Sequence, residues 1–528
     1  MESKPRYFTA GMADFESIRN EERIYVDKTD QVYRLVHESK YVFLSRPRRF
    51  GKSLLCNTLK CYFEGKKELF EGLAIAEMEK EWKQYPVFKF DISACKNQAN
   101  LDGITAELCR QLQIYERRFG QSENCNTPGG RLLSLLRLAH EQTGLPCVVI
   151  IDEYDSVLLE YLDKPEQLEE VRRILQEFYQ MLKVAESDLR FTFITGITKF
   201  SQLSIFSTIN NLRNISMEPK YGALCGFTEE ELRTFFAPDV EMLASQYGCT
   251  KDEMYAMLKQ KYDGYHFGKN TVNVYNPFSL TNAFTAMDLN DYWFTSGTPS
   301  YLFPQMKRFK TNVLSLSQLE VSAREFDVPT EAMTTALPLL YQSGYLTIKD
   351  YDRGGDVYTL DFPNAEVKVG FLESFMQMML EINAFPDSFA GRFYPHLLRN
   401  ETDAAMQDMK AFFASIPYLE NGNRGLDDLA KLEAYYEVIF FIVFSVINCR
   451  TYTQVKSVRG RCDVVVFLPD ATYVMEVKID RQAGEALAQI DTKGYAIPYE
   501  AERKRIVKIG ISFSSATRTV EEYVVKEQ

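Results

Sequence analysis

The sequence predicts a mixed α/β protein with a parallel-sheet core near its N-terminus and a second, smaller α/β unit at its C-terminus. Three observations predict it. Residues 41–64 read as an apolar strand, a basic loop containing glycine, and a helix. About 100 residues later a second apolar run, Cys147 to Asp152, ends in an acid. In the last hundred residues an apolar helix, two strands with charges at alternate positions and another helix follow in order.

The first strand is YVFL, Tyr41 to Leu44, rich in strand-forming residues. SRPRRFGKS, Ser45 to Ser53, follows, and then LLCNTLKCYFEG with helical apolar spacing. Strand, loop and helix in that order are what a phosphate-cradling loop requires. Gly51 lets the backbone approach a phosphate, Lys52 sets a point charge against the β- and γ-phosphates, and Ser53 offers a hydroxyl to magnesium. The free N–H groups of the following helix add a positive end. Arg48, Arg49, Phe50, Gly51, Lys52, Ser53 and Leu54 are therefore the candidate ATP-binding segment. One departure is evident: the general pattern wants glycine five residues before Gly51, and Arg46 stands there.

CVVIID supplies the second half of the signature. A buried strand carries Asp152 to its C-terminal edge, where it holds magnesium through water, and Glu153 can polarise an attacking water. Asp155 is expected to cap the helix that begins SVLLEYL. A third apolar run, Phe191 to Thr195, leads into GITKFSQLS, so Thr195, Thr198 and Lys199 are candidates to sense the γ-phosphate, with Thr198 the nucleotide-contacting choice.

RPRRFGKSLL, preceded by YVDKT at Tyr25 to Thr29, resembles the AAA-ATPase-like family of bacterial proteins. So do VVIIDEYD, TGITKFS, YDGYHFG (Tyr262 to Gly268) and VYNPFSL (Val274 to Leu280). The family is similar to the archaeal-type ATPases of the AAA+ and STAND group, and the likeness spans roughly residues 5–300. It implies a P-loop core with an additional strand, and Arg46 fits this family although it departs from the general rule. Arg213 lies in the stretch to search for an arginine finger and reads better as a surface arginine.

In the middle of the chain, Thr228 and Glu231 form a capping box that opens a helical lid. Tyr262 to Tyr275 reads as turns and a short hairpin whose aromatics serve packing. Met333 to Tyr341 reads as a helix followed by a hairpin over 345–349 and 357–362, a winged-helix pattern that favours packing over DNA contact. Phe371 to about Leu429 reads as a helical connector with a boundary near Asn421 to Gly425.

At the C-terminus, Glu437 sits on a strongly apolar helix. Asp463 leads a strand, and Glu476 and Lys478 lie two apart on the next, so they share a face that Asp463 can reach. Two carboxylates can hold a hard cation, and the lysine can position a water. This layout resembles the PD-(D/E)XK nuclease superfamily, in the version often fused to AAA-ATPase-like domains. The resemblance implies Asp463 and Glu476 as metal ligands, Lys478 as the catalytic lysine, and Glu437 and Gln489 as supporting residues. The usual Pro-Asp pair is Cys462-Asp463 here.

The expected domains are 1–225 for the ATPase core, 226–305 for the lid, 306–375 for the winged-helix-like region, 376–425 for the connector and 426–528 for the nuclease-like domain. The expected function is ATP binding and hydrolysis, with magnesium, gating a metal-dependent nuclease. The alternative is a STAND-like switch with a binding-only nuclease fold. DNA or RNA is an expected partner, and a homo-oligomer is compatible with the relatives.

Composition agrees with several packed cores: 45% hydrophobic, 25% charged, 31 Tyr and 37 Phe in 528 residues, enough for about three domains. A formal charge of -12 excludes diffuse attraction to nucleic acid, so any such contact needs a local basic patch. Ten cysteines without a CxxC pair, and only four histidines, argue against structural zinc. The opening residues lack a signal-peptide core and Val438 to Ile447 is too short to span a membrane, so the reading is cytoplasmic.

Overall fold

The computed structural model describes residues 6–98, 100–121, 126–199, 212–296, 301–380, 387–416, 429–447, 450–457, 460–502 and 504–527. The chain divides into two compact units, Met1–Thr311 with Leu316–Val367, and Asn312–Ser315 with Lys368–Gln528. The expected boundary at Asn421 to Gly425 lies outside the described residues.

The first unit is built on strands β1 (Tyr41–Ser45), β2 (Val87–Asp91), β3 (Cys147–Asp152), β4 (Leu189–Gly196) and β5 (Arg213–Asn214). They form one parallel sheet in the order β2-β3-β4-β1-β5. Every residue of β1 and β3 is buried, which is why both read as continuous apolar runs rather than alternating ones. β4 lies between β1 and β3, so it is the additional strand that separates the basic loop from the acid-ended strand. Helix Lys52–Phe63 leaves the loop and packs on β3.

Four helices follow: Glu229–Phe235, Ala237–Tyr247, Lys251–Tyr262 and Pro277–Ala286. Thr228 and Glu231 make the expected capping box, and Thr250 and Glu253 make a second. Leu232, Phe236, Leu243, Leu258, Tyr262 and Phe284 build their core, and Val26 of the N-terminal segment is buried in it. The expected short hairpin is reduced to a single antiparallel bridge, Tyr265 with Val274.

A small antiparallel sheet completes this unit: β6 (Leu319–Val321), β7 (Thr347–Asp352) and β8 (Val357–Asp361), in the order β6-β8-β7. The helix before it runs Leu337–Gln342 and not from Met333. Pro338 explains the late start, because proline fits the first turn of a helix but not its interior. Asp352 accepts the N–H groups of Gly354 and Gly355 to close the expected turn.

The second unit carries β9 (Arg450–Ser457), β10 (Gly460–Phe467), β11 (Ala471–Ile479), β12 (Arg505–Phe513) and β13 (Val520–Glu527), ordered β13-β12-β11-β10-β9. β9, β10 and β11 form an antiparallel meander, whereas β11 and β12 are parallel and joined through helix Ala483–Lys493. A Cβ at Gly510 of β12 would fall 2.2 Å from the Ala483 carbonyl oxygen, so glycine is what lets that helix lie close. Helix Leu429–Val446 packs on β9, β10 and β11 and buries Ile439 through Phe444. Among the described residues no helix is long and apolar enough to cross a membrane. Helix Thr402–Ser415, expected in a connector, packs on β13, with Phe413 against Tyr436 and Phe513.

Candidate functional sites

The basic loop turns the chain out of β1 into helix Lys52–Phe63. Gly51 sits in the left-handed region at φ +87°, and Arg49 at φ +67°. A Cβ at Gly51 meets nothing within 4 Å, so the demand for glycine is conformational and not steric. The Lys52 ammonium donates to the carbonyls of Arg46 at 3.0 Å and Pro47 at 2.9 Å. A cavity of about 400 Å³ opens here, lined by Arg48, Arg49, Phe50, Gly51, Lys52, Ser53, Leu54 and Glu153 among others. Its far wall comes from Thr9 to Ala13 (less Ala10), Tyr25 to Lys28 (less Asp27), Leu224 to Phe227, and Phe278.

Asp152 is buried at the end of β3, close to Ser53. Burial pushes its carboxyl above the usual value, while the Ser53 hydroxyl and the charges of Lys52 and Lys89 oppose the shift. Ser53 and Asp152 thus offer two hard oxygen donors side by side, a set that fits magnesium. Glu153 lies at φ +49°, with its carboxylate 3.6 Å from the Lys96 ammonium.

The sensing candidates are engaged elsewhere. Thr195 donates to the Leu44 carbonyl at 2.8 Å. Thr198 is fully buried and does not line the cavity: its hydroxyl and N–H both donate to Asp155 at 2.6 Å. Asp155 accordingly makes no side-chain cap on helix Ser156–Glu160, because its carboxylate is spent on Thr198 and on the Ile197 N–H. Gly196 is required beside it, since a Cβ there would fall 2.3 Å from Asp155 Oδ1. Lys199 pairs with Asp327, and Arg213 with Glu218 and Glu38.

Arg46 is also absent from the cavity wall. It is buried, donates to the carbonyls of Ser45, Ser216 and Tyr221, and stacks 4.2 Å from the centroid of Phe267. Phe50 packs edge-on against Tyr265 and Phe267. The YDGYHFG segment therefore holds the loop from behind, and the position where the general pattern has glycine carries an anchor.

In the second unit, β10 and β11 bring Asp463, Glu476 and Lys478 together one step beyond the paired Val464 and Met475. Asp463 Oδ2 accepts the Val477 N–H at 2.9 Å. Glu476 Oε1 accepts the Lys478 ammonium at 3.0 Å and the Gln489 side-chain amide. Glu476 Oε2 is buried and has no hydrogen-bond partner among the described residues. Burial, reinforced by the charge of Asp463 and opposed by Lys478, pushes the Glu476 carboxyl up to about 7. An orphaned oxygen beside a second carboxylate fits a hard cation. Glu437 is half-buried on helix Leu429–Val446. Among the described residues no group of three or more His, Cys, Asp and Glu is placed to hold a metal ion. Cys462 is buried in a core cluster with Val465, Val474 and Ile490.

Two family models match the chain: a predicted AAA-ATPase over residues 9–206, and the PD-(D/E)XK nuclease superfamily over residues 431–523. An uncharacterized protein in the vnfD 5' region of Azotobacter chroococcum mcd 1 is 34% identical over 533 residues, covering 98% of each chain. The chain belongs to the AAA-ATPase-like family that carries a C-terminal PD-(D/E)XK nuclease superfamily domain. The ORC1 protein of Aeropyrum pernix in complex with DNA aligns at a TM-score of 0.24 and 10% identity, over 68% of this chain and 95% of that one, too slight a likeness to bear on function.

Within this AAA-ATPase-like chain, several residues of the site carried no role in the sequence. Lys28 of YVDKT lines the cavity and pairs with Glu231 of the capping box. Phe278 of VYNPFSL stands 3.6 Å from the Arg49 guanidinium. Both motifs were visible, but nothing in their spacing says which side chains reach the loop. Lys96 and Tyr495, which accepts from the Arg461 N–H and the Gln489 amide, gave no signal at all.

Proposed function

We propose that the protein binds and hydrolyses ATP, and that its nucleotide state gates metal-dependent phosphodiester cleavage by the C-terminal domain. The observation that carries this reading is the cavity at the loop. Arg48, Arg49 and Lys52 line it, and the one carboxylate among its described lining residues, Glu153, is already paired with Lys96. A cationic pocket at a helix N-terminus favours a polyanion such as a triphosphate. Lys52 would exchange its two carbonyl partners for phosphate oxygens, and Glu153 would take the proton of the attacking water. Ser53 and Asp152 would hold magnesium, which supplies charge neutralisation.

In the second unit, Asp463 and Glu476 would hold the divalent cation, Gln489 would fix the Glu476 carboxylate, and Lys478 would orient the water. DNA or RNA is the substrate class that this set suits. The test is ATP affinity and turnover in the wild type and Lys52→Ala, with cleavage measured in parallel. Loss of ATP binding with altered cleavage supports gating, whereas cleavage indifferent to both ATP and Lys52→Ala excludes it. A second reading, a slow nucleotide-dependent switch with a binding-only nuclease fold, draws on the Lys96 pairing that occupies Glu153. It predicts ATP binding with single-turnover hydrolysis.

A further inference from the structure

We propose that Arg49 is the catalytic arginine of the ATPase, supplied in cis and parked on Phe278 until a triphosphate arrives. The assignment rests on ATP hydrolysis being the activity of this pocket. Phosphoryl transfer spreads negative charge over the γ-phosphate oxygens, and an arginine from the same chain or a partner stabilises it in related chemistry. This chain has several cations near the loop, and most are committed. Arg46 donates to three carbonyls and does not line the cavity. Arg213 is tied to Glu38 and Glu218, Lys199 to Asp327, and Lys28 to Glu231.

Arg49 differs from all of them. It lines the cavity with Lys52, Ser53 and Glu153. No hydrogen bond or ion pair joins its guanidinium to a described residue, and Nη1 is buried without a partner. Its guanidinium lies over the face of Phe278, 3.6 Å from the ring centroid. A ring holds a guanidinium far less firmly than a phosphate does, because charge-assisted bidentate hydrogen bonds replace a quadrupole contact. Burial and the neighbouring Arg48 charge depress the half-buried Arg49 guanidinium, while the Glu366 charge opposes them. Arg48 also lines the cavity, with its backbone carbonyl held by the Trp293 indole N–H at 3.3 Å, so Arg48→Ala is the competing variant.

The step balances as follows. The oxygen of water bonds to the γ-phosphorus while the bond from that phosphorus to the β–γ bridging oxygen breaks. The electron pair stays on the terminal oxygen of ADP, and the proton of the water passes to Glu153 and then to solvent. Arg49 moves from Phe278 onto the γ-phosphate oxygens as their charge grows.

The experiment is steady-state phosphate release by the full chain, comparing wild type, Lys52→Ala, Arg49→Ala, Arg49→Lys and Arg48→Ala. Arg49→Ala is expected to lower kcat about 10²- to 10³-fold while KM changes far less, and added guanidinium is expected to restore part of the loss. Arg49→Lys, which keeps the stem and charge, serves if the alanine variant fails to fold, and is expected to lose kcat as well because it lacks the fork. A loss confined to KM, or an unchanged kcat, overturns the assignment to Arg49 alone. Absence of Lys52-dependent turnover in the wild type overturns the hydrolysis reading and the assignment with it.

Discussion

Replacing Glu366 by glutamine should stabilise the ATPase unit, and only above mildly acidic pH. Glu366 is fully buried at the start of helix Ala365–Leu380. Its Oε1 accepts the Ser279 hydroxyl at 3.1 Å and the Trp293 N–H at 2.8 Å, while Oε2 is buried without a partner among the described residues. Burial raises the carboxyl from 4.5 to about 7; the two hydrogen bonds oppose this, Asp291 adds to it and Lys261 opposes it. An acid whose pKa is raised on folding binds its proton more tightly in the folded state. Stability therefore falls as pH rises from 4.5 to about 7, and the full cost stands above that range. The rise from 4.5 to about 7, at about 1.4 kcal/mol per pH unit, amounts to roughly 3 kcal/mol. Glutamine keeps the acceptor for Ser279 and Trp293 and removes the charge. Urea denaturation of the full chain, monitored at the transition of this unit, should show Glu366→Gln more stable by up to about 3 kcal/mol at pH 8 and equal to wild type at pH 4.5. A variant that is less stable at pH 8, or a difference that does not change with pH, refutes the reasoning.

Other outcomes follow from the same geometry. Arg46→Gly restores the general loop pattern yet should destabilise the protein by about 3 kcal/mol, because buried carbonyls of Ser216 and Tyr221 lose their donor; chemical denaturation reads it. Asp155→Ala should cost at least about 2 kcal/mol by freeing three donors at Ile197 and Thr198, with faster amide exchange confined to that turn. Magnesium should raise the melting temperature of the C-terminal unit in the wild type and not in Asp463→Asn or Glu476→Gln, as calorimetry would show.

The sheet and the two motif pairs were legible because their physics is local. Fully buried parallel strands must be apolar throughout, and a loop that admits phosphate needs Gly51 ahead of Lys52 and Ser53. The Glu476, Lys478 and Asp463 cluster followed from strand alternation alone. What failed to read were partnerships set by distant chain. Asp155 looked like a helix cap, the role its position suggests, but Ile197 and Thr198 offer three donors from β4's end and outcompete the cap. Thr198 looked like a sensor for the same reason and is its donor. Arg46 looked like a defect in the loop, since Phe267 and the Ser216 and Tyr221 carbonyls that receive it lie roughly 170–220 residues away in sequence. Helix Thr402–Ser415 looked like a connector because its polar ends hide Phe413, which needs β12 and the helix carrying Tyr436 to bury it.

The central claim is that one chain couples a nucleotide pocket to a metal-dependent nuclease. The measurement that tests it most directly is cleavage of labelled single- and double-stranded DNA and RNA in Mg²⁺ or Mn²⁺, with and without ATP, by wild type and Lys478→Ala. The account predicts metal-dependent cleavage of at least one substrate, changed by ATP and lost in Lys478→Ala. Cleavage that ignores ATP, cleavage that survives the loss of Lys478, or no cleavage of any substrate would contradict it.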